Sequence, residues 1–427
     1  MTGQKQDRTP TCGIDMWATI AAYALALLMI VLATQLHAQT FTVLHNFTDG
    51  LDGGSPHAGL IMDARGNLYG TASEGANTNG HCYPQGCGGV FELKHTGSSW
   101  IFDPLYIFQG KTDSGGPYAG LTFGRDGSLY GTASGTGTGA CGTVFSLKPP
   151  PAACTSTLCF WNITVVYSFS GIDGCAPYSN VIFDQAGNLY GTTLNPGSGN
   201  VFELIPSNGS WTEYVVTAFE GVNGAYPGSG VVFDSAGNLY GTTSGGGDKN
   251  CDQGYGCGVV YQLTPSASGW TNNTLYELQD GNDGGFPQAG VIVDGSGNLY
   301  GTTTEGGAGA GTVFELSPYN GYWNFNLLYT VTGGNQNVGG PWDSLVMDGA
   351  GSLYGTTASG GLYGDGAVFK LTPSNGGWTY TSLHDFVCST DGCTPYGSVL
   401  LDANGNIYGT AAGGGAYYYG TVWEIMP

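Results

Sequence analysis

The chain has 427 residues and a formal net charge of −22, from 9 basic and 31 acidic residues. This acidity disfavours binding to nucleic acid or to anionic lipid, because the phosphates of both would repel the protein. Gly occurs 78 times and aromatic residues make up 13% of the chain. Glycine at this frequency, without the collagen period, indicates many turns and closely packed strands.

The N-terminal segment has the pattern of a secretory signal peptide. A polar stretch with Lys5 and Arg8 precedes an apolar run over residues 18–34, and Ala38 offers a small residue for cleavage. We therefore predict that residues 1–38 are a signal peptide and that the protein is secreted or displayed at the cell surface. An uncleaved signal anchor is the alternative, since the apolar run is near the lower limit for a spanning helix. We expect no membrane contact beyond this segment.

Residues 39–427 are organised around a six-residue motif, Gly-Asn-Leu-Tyr-Gly-Thr at 66–71, which recurs every 50 to 61 residues. The motif tyrosines are Tyr69, Tyr130, Tyr190, Tyr240, Tyr300, Tyr354 and Tyr408. A period in this range that extends through the whole chain indicates a tandem-repeat architecture. We therefore expect one domain rather than several.

The sequence pattern of each repeat predicts four short strands, as in a propeller blade. The first is a continuous apolar run, such as Val181–Phe183, which we expect to be innermost and buried on both faces. An aspartate and a glycine turn follow it, for example Asp184 to Asn188, where turn chemistry is the expected role of the aspartate. We expect the motif tyrosine and the glycine after it to pack between adjacent blades.

The two ends of the repeat array complement each other. Residues 39–47 align with the fourth strands of the other repeats, whereas the chain ends just after 420–425, a third strand without a fourth. The N-terminal strand can therefore complete the last blade and remove two unpaired sheet edges. We predict an all-β, seven-bladed β-propeller of four-stranded blades, closed by the N-terminal strand in the last blade.

Ten of the 11 cysteines follow the predicted signal peptide, an even number that suits an oxidising compartment. Four pairs are close in sequence: Cys82 with Cys87, Cys154 with Cys159, Cys251 with Cys257, and Cys388 with Cys393. Cys141 and Cys175 remain, and we predict that they pair with each other, because both lie in loops on the same face of neighbouring blades in the propeller. The alternative is a metal site, but no two pairs have zinc-finger spacing.

The candidate site lies in the blade-to-blade crossings, the loops that lead from the fourth strand of one repeat to the first strand of the next. Each has a proline, and the residue after it precedes an innermost strand, so these residues should surround the mouth of the central channel. The candidate ligand-binding residues are His57, Tyr118, Tyr178, Gln288, Trp342 and Tyr396. Aromatic and amide side chains suit stacking and hydrogen bonding to sugar or peptide. The alternative is that they pack on neighbouring loops. Loops of variable length, such as 74–88 and 244–257, lie at the same predicted end.

No catalytic motif of the G-x-S-x-G or H-E-x-x-H type occurs, so we predict no catalytic residue, and we predict no cofactor. Acidic crossings at 49–53 and 280–284 could bind calcium, but neither has the twelve-residue calcium-loop spacing. A polysaccharide-active enzyme, a lyase or glycosidase, is an alternative that needs paired carboxylates. The carboxylates available in crossings are Asp113, Asp173, Asp283 and Asp391.

The pairing of Gly-Asn-Leu-Tyr-Gly-Thr-Thr at 297–303 with Gly-Thr-Val-Phe-Glu-Leu at 311–316 resembles the bacterial GloVer tandem-repeat family. The resemblance covers nearly all of the chain after residue 39, with Ser128 and Ser352 in place of the motif Asn and Ile407 in place of Leu. It implies an exported, often surface-anchored protein without a defined activity. We expect a monomeric binding or adhesion module for carbohydrate, with a glycan or a surface protein as partner. A purely structural envelope protein is the remaining alternative.

Overall fold

Seven antiparallel four-stranded sheets form the blades of a β-propeller. The computed structural model describes residues 39–77, 82, 84–97, 99–135, 141–150, 159–307, 309–331 and 340–427. The main unit, Phe41–Ile425, contains the propeller; the second unit comprises Met1–Thr40 and Met426–Pro427. The predicted signal peptide lies outside the described residues. Within the described residues, no helix has the length and hydropathy that a bilayer crossing requires.

The strands are numbered in chain order and fall into four layers. The innermost strands are β2 (Ile61–Met62), β6 (Thr122–Phe123), β10 (Ile182–Phe183), β14 (Val232–Phe233), β18 (Ile292–Val293), β22 (Val346–Met347) and β26 (Leu400–Leu401). The second strands are β3 (Leu68–Ala72), β7 (Leu129–Ala133), β11 (Leu189–Thr193), β15 (Leu239–Thr243), β19 (Leu299–Thr302), β23 (Leu353–Thr357) and β27 (Ile407–Ala411). One short 3-10 helix, Asp252–Gly254, interrupts a loop.

The outer half of each blade is a longer hairpin. The third strands are β4 (Gly89–His95), β8 (Thr143–Lys148), β12 (Asn200–Ser207), β16 (Val259–Ser266), β20 (Thr312–Tyr319), β24 (Ala367–Ser374) and β28 (Thr421–Met426). The outermost strands are β5 (Trp100–Ile107), β9 (Asn162–Ser168), β13 (Ser210–Ala218), β17 (Gly269–Glu277), β21 (Tyr322–Thr330), β25 (Gly377–Asp385) and β1 (Thr40–Asn46). Blades 1 to 6 each take four consecutive strands from β2 onward, and blade 7 combines β26 to β28 with β1.

Blade 7 confirms the predicted closure. Its strand order is β1-β28-β27-β26, so the first strand of the chain pairs with the last. The Phe47 amide donates to the Gly420 carbonyl at 3.0 Å, and the Asn46 side-chain oxygen accepts from the Ala416 amide at 2.8 Å. The Phe41 ring lies 6.0 Å from the Trp423 ring. The seven-bladed, all-β fold predicted from the repeat is therefore the fold observed.

The hydrophobic core lies between neighbouring blades. Tyr69 of blade 1 belongs to a cluster with Leu121, Leu129 and Phe145 of blade 2, and its ring meets Phe123 edge-on at 5.5 Å. The motif tyrosines of the other blades pack in the same way, as Tyr190 does against Trp270. The predicted packing of the tyrosine between blades is confirmed.

The glycine after the tyrosine packs differently from the prediction. A Cβ on Gly301 would lie 2.5 Å from Cζ of Phe314, the residue opposite it on β20 of the same blade. The equivalent glycines of the other six blades each lie under an aromatic ring of their own third strand: Phe91, Phe145, Phe202, Tyr261, Phe369 and Trp423. The glycine thus seats an aromatic ring within its blade rather than between blades.

The innermost strands are shorter and more exposed than predicted. Only two residues pair in each, and Ile61 and Met62 are half-buried because β2 has a partner on one side only. The residue before the strand, such as Leu60 or Val181, is the one that is buried. The turn that follows behaves as expected: Asp184 accepts from the Gly187 and Asn188 amides and from the Asn188 side chain.

Four of the predicted disulfides are present: Cys82–Cys87, Cys141–Cys175, Cys251–Cys257 and Cys388–Cys393. The predicted pair of Cys154 with Cys159 cannot be described, because Cys154 lies outside the described residues. Cys141–Cys175 joins the loop before β8 in blade 2 to the crossing into blade 3, as the propeller arrangement required. Disulfides of this number indicate an oxidising, extracellular environment.

A carboxyl on an outermost strand makes stability depend on pH. Burial, and then the charge of Asp173, raises the pKa of Glu213 to about 7, and its Oε1 has no hydrogen-bond partner among the described residues. The folded protein therefore retains a proton that the unfolded chain has released, so this group's contribution to stability falls as the pH rises from about 5 to about 7. We expect Glu213→Gln to raise the melting temperature at pH 8 and to leave it nearly unchanged at pH 4.

Differential scanning calorimetry at both pH values tests this expectation. Glu220→Gln is the matched control, since Glu220 is exposed in the next loop of the same blade. An equal shift of the melting temperature at pH 4 and pH 8 would contradict it.

Candidate ligand-binding site in the central cavity

A cavity of about 550 Å³ lies where the blade crossings converge. All six candidate residues from the sequence line it, and Gly228 occupies the seventh equivalent position. The remaining lining comes from the same crossings and from adjoining loops, including Asn180, Leu194, Tyr226, Ser229, Ser244 and Asp343. The volume is within the range of small-molecule sites. The structure brings the six side chains together, and ligand binding by them stays a prediction.

The backbone is strained just before the proline in five of the seven crossings. The residue before the crossing proline has positive φ in every blade where it is not glycine: Ser55, Ala176, Tyr226, Phe286 and Thr394, with φ between 50° and 59°. Such a conformation costs on the order of 1 kcal/mol for a residue with a Cβ. Its recurrence one residue before the proline shows that the turn into the cavity is imposed by the surrounding structure.

The motif threonine holds the next blade's crossing in place. Thr71 Oγ1 donates to the Ala119 carbonyl at 3.0 Å, and Ala119 directly follows the cavity residue Tyr118. The same bond runs from Thr132, Thr192, Thr242, Thr356 and Thr410 to the following crossing. Thr302 alone has no partner for its hydroxyl among the described residues. The motif threonine, for which the sequence analysis gave no role, therefore positions the residues that line the cavity.

Five consecutive rings form a continuous arc along the cavity wall, which we call the aromatic arc: Trp342, Tyr396, His57, Tyr118 and Tyr178. Neighbouring ring centroids are between 5.1 and 5.3 Å apart, and His57 stacks nearly parallel to Tyr396, at 9°. Gly228 and Gln288 interrupt the arc, leaving a small and polar side opposite the rings.

His57 is a neutral hydrogen-bonding group in this wall. Its Nδ1 lies 2.9 Å from the Ser55 carbonyl oxygen, which can only accept, so Nδ1 carries the proton. Burial lowers the pKa of His57, although the Ser55 carbonyl and the charge of Glu74 oppose this. Near neutral pH the other ring nitrogen, Nε2, is therefore an acceptor.

The sequence profile of the Gloeobacter/Verrucomicrobia repeat matches residues 30–162, 78–254 and 249–427. The chain belongs to this family. The resemblance identified from the repeated motif is thereby confirmed. No curated protein matches this repeat protein.

Several solved structures are similar to the repeat protein. A protein from Lactobacillus plantarum has a TM-score of 0.50 and 13% identity, over 82% of this chain and 98% of that one. A Bacteroides uniformis protein, provisionally assigned as a 6-phosphogluconolactonase, has a TM-score of 0.49 and 14% identity, over 83% and 89%. A protein of unknown function from Dyadobacter fermentans has a TM-score of 0.44 and 11% identity, over 92% and 100%. At these identities the similarity concerns the fold alone.

The crossing aspartates of the repeat protein are engaged within their own crossings. Tyr106 Oη donates to Asp113 at 2.9 Å, Tyr276 Oη donates to Asp283 at 3.2 Å, and His384 Nε2 lies 2.9 Å from Asp391. Asp173 accepts from Tyr167 and from the Ser170 amide. None of the four lines the cavity. Each closes the loop after its blade's outermost strand, which accounts for an aspartate at this place in the repeat.

In the acidic crossings that were considered for calcium, the carboxylate oxygens of Asp52 and Asp283 also accept hydrogen bonds from nearby residues. Asp52 accepts from the Thr48 amide and hydroxyl and contacts His45, while Asp283 accepts from Tyr276 and from the Gln279 and Gly281 amides. Within the described ranges, no three His, Cys, Asp or Glu side chains come together as a metal-binding group.

Sequence analysis missed Asp343. It follows Trp342, lines the cavity, and accepts hydrogen bonds from the Ser344 amide at 2.6 Å and the Ser398 amide at 2.8 Å. Burial raises the pKa of its carboxyl, against the lowering effect of these amides and of a hydrogen bond from the Ser398 side chain. The signal was present in the sequence: the other crossings have Ala, Ser or Gly at this position, at Ala58, Ala119, Ser179, Ser229, Ala289 and Gly397.

Proposed function

We propose that this repeat protein is an extracellular binding module that holds a carbohydrate in its central cavity. The observation that carries the proposal is the aromatic arc, five rings in unbroken contact along the wall of a 550 Å³ cavity. Rings in this arrangement can stack on the C–H faces of a sugar. This apolar contact stabilises the complex while the sugar hydroxyls remain hydrogen-bonded.

The polar side of the cavity supports the same ligand class. Gln288, Asn180 and Ser229 line it opposite or beside the arc, and they provide both donors and acceptors. His57 Nε2 adds an acceptor within the arc itself. Sugar hydroxyls are donors and acceptors at once, so a mixed set of neutral groups suits them better than a cluster of one kind.

Binding is favoured over hydrolysis by the number of carboxyls. Retaining and inverting glycosidases both use two carboxyl groups on opposite sides of the scissile bond. Among the described residues, the cavity lining contains one, Asp343. The crossing aspartates that were candidates for the second are hydrogen-bonded elsewhere.

The disulfides and the predicted signal peptide support an extracellular site of action. The four disulfides suit an oxidising compartment, and residues 1–38 have the sequence pattern of a signal peptide. Cleavage of that segment, and attachment to the surface or release, belong to the proposal.

Removal of three rings tests the proposed site. We expect the triple variant Tyr118→Ala, Tyr178→Ala, Trp342→Ala to lose at least tenfold in affinity for the glycans that the intact protein binds, because each lost ring contact is worth about 1 kcal/mol. A glycan array identifies the ligands, and isothermal titration calorimetry measures the loss.

The control variant is Tyr319→Ala with Tyr322→Ala, two exposed tyrosines in the outer hairpin of blade 5, far along the sheet from the crossings. It should bind as the intact protein does. Unchanged affinity in the triple variant, or no glycan bound by the intact protein, would contradict the proposal.

A further inference from the structure

Among the described residues that line the cavity, one has a carboxyl group, Asp343, and none has a basic side chain. Asp343 is half-buried, and its carboxylate accepts hydrogen bonds from the Ser344 and Ser398 amides and from the Ser398 side chain. A carboxylate has about four acceptor positions, so these three bonds leave room for about one further donor. Desolvation raises the pKa of this carboxyl, so a cation that pairs with it would stabilise the charged form. A ligand that carries a positive charge would therefore bind in the cavity more tightly than a neutral one.

The described basic side chains do not supply that charge. None of them lines the cavity. Lys94, Lys148 and Lys370 form ion pairs with carboxylates elsewhere, and Arg125 donates to the Gln185 carbonyl. The second carboxylate whose field reaches the cavity is Glu74, whose charge acts on both His57 and Tyr118. The electrostatic surroundings of the cavity are negative.

The aromatic arc adds to this preference. The faces of Trp342, Tyr396, Tyr118 and Tyr178 carry negative potential, which attracts a cation placed within about 6 Å of a ring centre. Asp343 directly follows Trp342, so a ligand near the end of the arc meets a ring and a carboxylate together. His57 does not repel a cation from the rings or from the carboxylate, because its lowered pKa leaves it uncharged near pH 7.

We infer that the cavity selects ligands with a positively charged ammonium group, and that among carbohydrates it prefers an amino sugar with a free amine. This inference rests on the proposed function for the sugar, but its charge component stands on Asp343 and the arc. The ammonium would bind at the Asp343 carboxylate while the sugar ring stacks on the aromatic arc.

The test compares each cationic ligand with a neutral analogue of similar shape, at about pH 7, where most of the amine is protonated and His57 is neutral. Calorimetry with the full secreted chain measures glucosamine against glucose, and choline against its neutral isostere 3,3-dimethyl-1-butanol. We expect each cation to bind at least tenfold more tightly than its neutral counterpart. In Asp343→Asn this preference should fall below threefold, with the affinity for the neutral ligands retained. Asp113→Asn is the matched control, since Asp113 lies in a crossing but does not line the cavity.

Each outcome decides one part. Equal affinity of the intact protein for cationic and neutral ligands overturns the inference, as does a preference that survives a folded Asp343→Asn variant. Choline preference without any sugar binding supports the charge selectivity and contradicts the proposed carbohydrate function. If Asp343→Asn does not fold, as judged by circular dichroism, the paired ligands on the intact protein still decide, because a preference of less than threefold there overturns the inference.

Discussion

A chain that begins at Thr48, and so lacks β1, is expected to lose the cooperative unfolding transition of the propeller. The truncation removes the outer of the two strands that pair with β28 and takes the buried Phe47 from its cluster with Phe91 and Leu60. It also removes Phe41 and Leu44 from the clusters on either side of blade 7. Three such side chains contribute about 5 kcal/mol or more, which is comparable with the whole stability of a typical domain.

Circular dichroism melting and size-exclusion chromatography measure this effect. The exposed edge of β28 should also promote association between copies. The matched control begins at Gln39, which retains β1, and should melt as the full chain does. A synthetic peptide of residues 39–47, added in excess, should restore part of the transition. A truncated chain with the melting temperature of the control would show that the closing strand adds nothing.

Gly301→Ala is expected to have a large effect on stability for a single added methyl group. The new Cβ would lie 2.5 Å from Cζ and near 3.0 Å from Cε1 of Phe314, a fully buried ring that cannot move without displacing its neighbours. Overpacking of this kind costs about 1–3 kcal/mol. Chemical denaturation, read as the midpoint at unchanged slope, measures the loss.

The control lies in the same blade. Gly295 has no positive φ, and no atom lies within 4 Å of the place that an added methyl group would take, so Gly295→Ala should leave the midpoint unchanged within error. The double variant Gly301→Ala, Phe314→Leu should be more stable than the sum of the two single losses predicts, because the smaller side chain makes room for the methyl group. Additive losses would show that the glycine does not seat the ring.

The architecture was predictable because the repeat constrains it redundantly. The recurrence of Tyr69 at six further positions sets the number of blades, and the unmatched strands at 39–47 and 421–426 set the closure. The glycine of the motif was placed wrongly because its neighbour depends on strand register. Gly70 lies opposite Phe91 on β4, and the pairing of β4 with β5 has a bulge between Val90 and Phe91. Neither the pairing nor the bulge can be derived from composition or periodicity.

The candidate site was predictable in position but not in chemistry. A residue after each crossing proline must lie near the propeller axis, which placed all six candidates in one cavity. The sequence of ring-to-ring contacts depends on positive φ at residues such as Ser55 and Thr394, a conformation that their residue types do not favour. The neutral state of His57 and the isolation of Asp343 are set by burial, which only the assembled ring of blades provides.

The closing strand has a consequence for how the protein matures. The bond between Asn46 and Ala416 joins residues 370 positions apart, so the fold cannot be completed until the last strand has been delivered. The loop disulfides Cys82–Cys87, Cys251–Cys257 and Cys388–Cys393 span five or six residues and can form as each blade emerges. These disulfides could thus form on an open arc of blades, and a chaperone or peptidase would meet that arc, with its seventh blade unfinished, until β28 had been synthesised and had paired with β1.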